Sequence, residues 1–312
     1  GTQRYGFLVS LIALVVPAIS LQRVFNGVIN GLSQYKKFAK IDLVSYLFSS
    51  GLIIWFLYQE NFDGVLIAIA VTPAIQLSIL LWVFAGVLKK YLRLKDLYFG
   101  APLAKFFVAF SLMSFFSTVI LSTVEIEIRN MILRRISESD AGIWSAMLDL
   151  SKNYMAFSTI LFTMYVIPKF ALVIGRSSFV REMSHVYKTI LPIFGFGMIG
   201  VYIFRDFIID LIFPGFDAMS GLFQWQLMGD FVRLIAMVVS YYFIAKKLVY
   251  HFIATEILSV GLFYLFAHYF IDIYGVEGVV IGHMIRYIVY LLVVLVLVWH
   301  YVSNEEVKNL KN

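Results

Sequence analysis

Val276 to His300 reads VEGVVIGHMIRYIVYLLVVLVLVWH, and only Glu277 and Arg286 in it carry a fixed charge. About 20 mostly apolar residues in a helix suffice to cross the hydrocarbon of a bilayer. This stretch therefore reads as a membrane-spanning helix with Trp299 at its interfacial end. Its apolar run is continuous, whereas a membrane β-strand alternates apolar and polar residues, so a β-barrel is excluded. Working outward, eight more stretches read the same way: 6–31, 41–58, 64–88, 103–133, 141–168, 189–212, 220–245 and 250–271. The expected fold is all-α, a polytopic membrane protein of about nine transmembrane helices.

Composition agrees. Of 312 residues 61% are hydrophobic and 14% charged, with a mean hydropathy of +0.88. Water-soluble domains carry roughly 45–50% apolar and about 25% charged residues. A soluble Rossmann enzyme, a disordered tail and a disulfide scaffold are excluded. With no cysteine, thiol nucleophiles, thiolate metal ligands and redox switching are excluded too. The net charge of +6 does not point to nucleic acid, because the charges alternate between the two ends of the spans. Lys36, Lys37 and Lys40 follow the first span and Glu60 and Asp63 the second. Lys89, Lys90, Arg93 and Lys95 follow the third, and Arg134, Arg135, Glu138 and Asp140 the fourth. After the fifth come Lys169, Arg176, Arg181 and Lys188, then Asp206, Asp210 and Asp217 with Arg205, then Lys246 and Lys247, then Asp272 and Glu277. Lys308 and Lys311 close the chain. Basic loops stay cytoplasmic, which predicts a cytoplasmic C-terminus and an external Gly1. An external start with no cleavable signal implies a preceding portion with an odd number of spans.

Several charges lie inside spans. Lys152, Arg233 and Arg286 each fall roughly 15 Å below the outer surface at 1.5 Å per residue. A cation there costs at least about 2.5–3.5 kcal/mol unless it is paired or wet. Arg23 and Arg129 join them as candidate anion-binding residues, Arg129 toward the outer rim and Arg23 toward the cytoplasm. Lys105 lies one turn inside its span and can snorkel. Asp149 and Lys152, Asp230 and Arg233, and Glu125 and Arg129 are three or four residues apart, each pair on one helix face. Local neutralisation is one reading; an anion held among the excess cations is the other. Arg286 has no carboxylate within one turn and leans toward the second. A phosphate or pyrophosphate suits guanidinium geometry. Asp149, Asp230 and Glu256 are candidates for carrying a coupling proton or ion.

Other patterns carry less. Pro17, Pro73, Pro168 and Pro192 remove helix hydrogen bonds and set kinks or hinges. Asn26-Gly27 and Asn30-Gly31 place small residues and amides on one helix face. Gly195-Phe-Gly-Met-Ile-Gly200 matches G-x-G-x-x-G but lies in an apolar span with no preceding strand, so it reads as a helix-packing face rather than a dinucleotide site. The five histidines form no metal-binding spacing, though His283 stands one turn from Arg286. No metal or cofactor is expected.

Gly142-Ile-Trp-Ser145, Leu150-Ser-Lys-Asn-Tyr154, Tyr165-Val-Ile-Pro168 and Phe204-Arg-Asp-Phe207 resemble segments of the Wzx-type bacterial polysaccharide-lipid flippases. So does the more specific Phe223-Gln-Trp-Gln-Leu-Met-Gly-Asp230, continuing through Ala245-Lys246 and Thr255-Glu256 to Phe266-Ala-His268. The resemblance extends from about residue 103 to the end, is thinner before it, and is strongest to O-antigen translocases and flippases for lipid III of enterobacterial common antigen. That group lies in the multidrug/oligosaccharidyl-lipid/polysaccharide exporter superfamily. The resemblance implies twelve helices in two bundles around a cavity. Residues 1–100 would then be the last three helices of the N-terminal bundle, and 101–312 the C-terminal six-helix bundle with its cytoplasmic tail. It also implies a substrate, an oligosaccharide on undecaprenyl pyrophosphate, moved beside membrane lipid from the cytoplasmic to the periplasmic leaflet of the bacterial inner membrane. A polymerase and a chain-length regulator of the same pathway are the implied protein partners. Arg129, Arg205, Asp206, Asp230, Lys246 and Glu256 match like residues of the pattern, and Arg233 a basic one. Lys152 departs from an acidic position, and Arg286 has no match. Two rival readings remain: a drug or metabolite antiporter, which would want an acidic cavity, and a membrane polymerase, which would want a long external loop.

Overall fold

In the computed structural model the backbone is described for residues 2–31, 35–59, 61–91 and 104–311. Helix is the only extended element among them. The chain divides into two compact units, Gly1–Gly100 and Ala101–Asn312.

The first unit holds α1 (Thr2–Gly31), α2 (Tyr35–Tyr58) and α3 (Phe62–Tyr91). Leu80 and Phe84 of α3 form its small core against Phe25 of α1. Gln22 donates to Gln76 across the same pair at 2.7 Å, where two amides satisfy each other away from water. Most large apolar side chains point outward instead, Leu14, Trp55 and Trp82 among them, as lipid-facing positions must.

The second unit is built from rods with internal irregularities. α4 (Ala104–Phe115), a π-turn (Phe116–Ile120) and α5 (Leu121–Arg135) make one crossing. α6 (Glu138–Leu161), a second π-turn (Phe162–Val166) and α7 (Ile167–Ala171) make the next. The Ser137 hydroxyl caps α6 by accepting the Asp140 N–H at 3.0 Å, with Glu138 and Asp140 in the favourable first turn. The second π-turn directly precedes Pro168, whose missing N–H and bulky ring displace the carbonyl four residues earlier. Pro17, Pro73 and Pro192 sit inside helices that continue through them.

α8 spans Arg176–Ile203 and α9 Arg205–Ile212, which corrects the expected crossing 189–212 at both ends. Arg176, Arg181 and Lys188 are helical rather than in a loop, and the rod breaks at Phe204. The 28 residues of α8 make about 42 Å at 1.5 Å per residue. That exceeds the hydrocarbon of about 30 Å, so its basic start, with Arg176 and Arg181, extends past the lipid. A 3₁₀ turn (Asp217–Leu222) leads into α10 (Phe223–Ala245).

The last element, α11 (Val249–Lys311), is two helices joined at Gly275, whose φ of 62° lies in the left-handed region. A side chain there would clash with its own backbone, so glycine makes the reversal possible. The arms return antiparallel and nearly touch: a Cβ on Gly282 would meet the backbone of Phe266 and Ala267 at 3.0 Å.

Asp63–Gly86, Val108–Arg135, Arg176–Ile203, Asp217–Ala245 and Val249–Glu305 are long and apolar enough to cross a membrane. The chain is an all-α, multi-pass membrane protein. Each end of the second unit is clasped. At one, Arg135 donates to both oxygens of Asp272 at 3.0 Å. At the other, Lys246 donates to the Val173 carbonyl at 2.5 Å and stands 3.6 Å from Glu305.

Candidate functional site

Midway along the second unit, α6, α10 and both arms of α11 enclose a polar cluster. Asp230 of α10 is completely buried. Its Oδ2 accepts from Ser151 at 2.6 Å, from Tyr154, and from Gln226 at 3.0 Å. Its Oδ1 faces His283 Nε2 at 3.1 Å. The Gln226 amide nitrogen also lies 3.3 Å from that Nε2, and one ring nitrogen cannot both donate a proton and accept one. A carboxylate is acceptor-only, so His283 donates Nε2–H to Asp230, and Gln226 serves the other oxygen. Four donors from three elements thus converge on one carboxylate, and a charge fully withdrawn from water is held by hydrogen bonds.

Gly229 makes that convergence possible. A Cβ added there would meet His283 Cδ2 at 2.8 Å and the Met284 backbone at 3.1 Å. Only glycine lets α10 and α11 approach closely enough for His283 to reach the next residue, Asp230. The Gly229→Ala variant is expected to push the helices apart, costing about 1–3 kcal/mol as overpacking does. Thermal unfolding in detergent checks this, and an unchanged midpoint overturns it.

Beyond Asp230 lie the two deep arginines. Arg286, 3% exposed, is sandwiched between the rings of Phe263 at 4.2 Å and Tyr287 at 4.3 Å. Its Nη2 donates to the Tyr287 hydroxyl at 2.7 Å, while Nε and Nη1 are buried with no partner. Arg233 approaches the same Tyr287 ring at 5.6 Å. Its guanidinium makes no ion pair within 4 Å among the described residues. Glu256 accepts from Tyr290 at 2.9 Å rather than from either arginine. Two cations and two carboxylates therefore lie within one cluster, but only Asp230 is saturated.

The other expected residues lie elsewhere. Lys152 is 2.7 Å from Glu125 of α5, an ion pair between half-exposed and nearly buried side chains. Lys152 thus has a carboxylate of its own, and the deep cations brought together around one ring are Arg233 and Arg286. Arg129 and Asp149 are exposed, and neither forms an ion pair among the described residues. Arg23 is exposed on α1 of the first unit. None of the three expected same-helix pairs forms: Glu125 takes Lys152 instead of Arg129, and Asp230 takes His283 instead of Arg233.

Tyr287 and Tyr290 were not singled out from sequence, nor were Ser151, Tyr154 and Gln226 for any chemistry. The quoted motifs nevertheless contained three of these. Leu150-Ser-Lys-Asn-Tyr154 and the Phe223–Asp230 stretch pack against each other, with Asp230 at the junction. Gly195, Gly197 and Gly200 lie on continuous α8, so no dinucleotide turn exists there. Among them only Gly195 packs, 3.5 Å from Phe231. Asn26, Gly27, Asn30, Gly31 and Lys105 have side chains outside the described residues. Among the described residues no His, Asp and Glu group has metal-binding geometry.

No family model matches the chain. The lipid III flippases of Escherichia coli (strain K12) and Shigella flexneri are each 29% identical over 297 residues. The match covers 93% of this chain and 70% of each relative. Among solved structures, a crystal structure of MATE in complex with MaL6 superposes with a TM-score of 0.68 at 16% identity. It covers 98% of this chain and 78% of that one, and at that identity it speaks for the fold alone. Over most of its length the chain is thus similar in sequence to these lipid III flippases, and it shares the fold of that MATE structure.

Proposed function

We propose that the protein flips a lipid-linked oligosaccharide across the bacterial inner membrane, from cytoplasmic to outer leaflet, by alternating access. It acts as a transporter rather than an enzyme. The supporting observation is the pairing of Arg233 and Arg286 about Tyr287, with two buried guanidinium N–H groups unpartnered. Moving a multiply charged head group through hydrocarbon is prohibitive unless its charge is neutralised on the way. Guanidinium groups with free N–H donors meet that need for a pyrophosphate. Lys152 and Arg129 add basic groups to the second unit outside this cluster, and Arg23 is the candidate anion-binding residue of the first unit. Glu256 and Asp149, with fewer partners than Asp230, are the better carriers of a coupling proton, and Asp230 holds the cluster together. The C-terminus is cytoplasmic in this reading, since Lys169, Arg176 and Lys246 gather at one end of the second unit.

The test is transport in proteoliposomes by the full chain. A fluorescent polyprenyl-diphosphate oligosaccharide is expected to become accessible to an external enzyme, and accumulation of a cationic dye is expected to stay at background. Dye accumulation without flipping favours the drug-antiporter reading and overturns this one.

A further inference from the structure

The outer surface of the second unit carries an apolar groove between α8, α10 and the second arm of α11. Its main chamber has a volume of about 620 Å³ and is lined by Gly195, Ile199, Phe231, Met284 and Ile288, among others. A second chamber of about 530 Å³ shares Gly195, Ile199 and Phe231 and runs on to Leu191 and Lys188. Gly195 forms the waist, since a missing side chain there leaves the space open beside Phe231. Almost no polar atom faces the groove along this length, so water gains nothing by occupying it.

Two features specify the occupant. The first is length. From Lys188 to Tyr202, which lines the far end, α8 rises about 21 Å at 1.5 Å per residue. That exceeds half of a hydrocarbon core about 30 Å thick, so the groove passes the midplane, where a chain confined to one leaflet stops. The second is charge. Lys188 is exposed at one end and makes no ion pair among the described residues. At the other end Arg205 stacks on Tyr202 at 4.6 Å but stands 3.7 Å from Asp206, so its charge is already met. A groove that crosses the midplane with an exposed cation at one mouth fits a long polyisoprenoid chain bearing one phosphate head.

We infer that this groove is the track for the isoprenoid chain of the transported lipid. Lys188 marks where its phosphate head stands at that mouth. The inference rests on the flippase reading and adds a tail site to it.

The full chain, reconstituted in phosphatidylglycerol and phosphatidylethanolamine vesicles, is irradiated with undecaprenyl phosphate carrying a tail diazirine, and the labelled peptides are mapped. Labels are expected on 187–202 and 227–232. Gly195→Phe fills the waist and is expected to cut labelling there at least about tenfold, equivalent to 1.4 kcal/mol. Gly197→Phe, on the same helix but with open space around it, is expected to leave labelling unchanged. Ile288→Trp fills the groove from α11 and is expected to act like Gly195→Phe, which guards against misfolding of the first variant. Lys188→Glu is expected to weaken labelling by the phosphate but not by uncharged undecaprenol. Equal labelling of the parent, Gly195→Phe and Ile288→Trp overturns the inference. So does labelling of the groove by diazirine phosphatidylglycerol that excess undecaprenyl phosphate fails to displace. If the parent labels as expected but moves no oligosaccharide lipid, the flippase reading fails and the chain site stands.

Discussion

Replacing Asp230 by alanine is expected to destabilise the second unit by about 3–5 kcal/mol, the cost of removing one partner from a buried charged cluster. Ser151, Tyr154, Gln226 and His283 would each lose their acceptor at once. Arg233 would also lose the carboxylate one turn away on its own helix. Asp230→Asn keeps an acceptor but places an NH₂ among donors, so an intermediate loss is expected. Adding Arg233→Met to Asp230→Ala removes the orphaned cation and is expected to recover part of the loss, the signature of coupling between neighbours. Thermal unfolding, followed by the fluorescence of Trp144 in the core of the same unit, gives all of these values. A change under about 1 kcal/mol for Asp230→Ala, the size of an ordinary substitution, overturns the role of Asp230 as hub.

Arg286→Met is expected to do the opposite. Two of its donors are buried without partners, so the guanidinium contributes little to the fold beyond its stacking on Phe263 and Tyr287. Methionine keeps favourable sulfur–aromatic contacts of about 0.3–1.5 kcal/mol, and buried charges replaced by apolar groups of similar volume are often neutral or stabilising. Stability is therefore expected to stay within about 1 kcal/mol of the parent or to rise. Flipping is expected to fall at least about tenfold, equivalent to about 1.4 kcal/mol. A residue kept at no benefit to stability is kept for transport. Strong destabilisation with flipping intact would reassign Arg286 to the fold, and no effect on either would remove it from both. Comparing the two variants separates scaffold from substrate contact, since Asp230 and Arg286 sit in one cluster but differ in how completely they are satisfied.

The crossings were legible because the solvent dictates them: twenty apolar residues in lipid have little choice but helix. Lys152, Arg233 and Arg286 read as equally deep; Arg286 is buried and Arg233 half-buried, while Lys152 is half-exposed. The partners of the charged groups were not legible. Spacing of three or four residues puts Asp230 and Arg233 on one face, but a buried aspartate takes whichever donors desolvate best. Three of its four came from α6 and α11, over fifty positions away in the chain. Lys152 has a long stem that reaches across to Glu125 on another helix, which no single-helix rule anticipates. The start of α8 at Arg176 was hidden because hydropathy marks where lipid begins, not where helix begins. His283 was noted only beside Arg286; its role depended on Gly229, whose missing side chain is invisible as a signal until the facing helix is known.

Gly275 bears on how the molecule is made. A chain that reverses within a single residue, with its arms pressed backbone to backbone at Gly282, leaves almost no hydrophilic stretch to be hauled across the bilayer by itself. The final two crossings are therefore expected to enter the lipid as one hairpin, with Tyr290 and Glu256 already paired inside it.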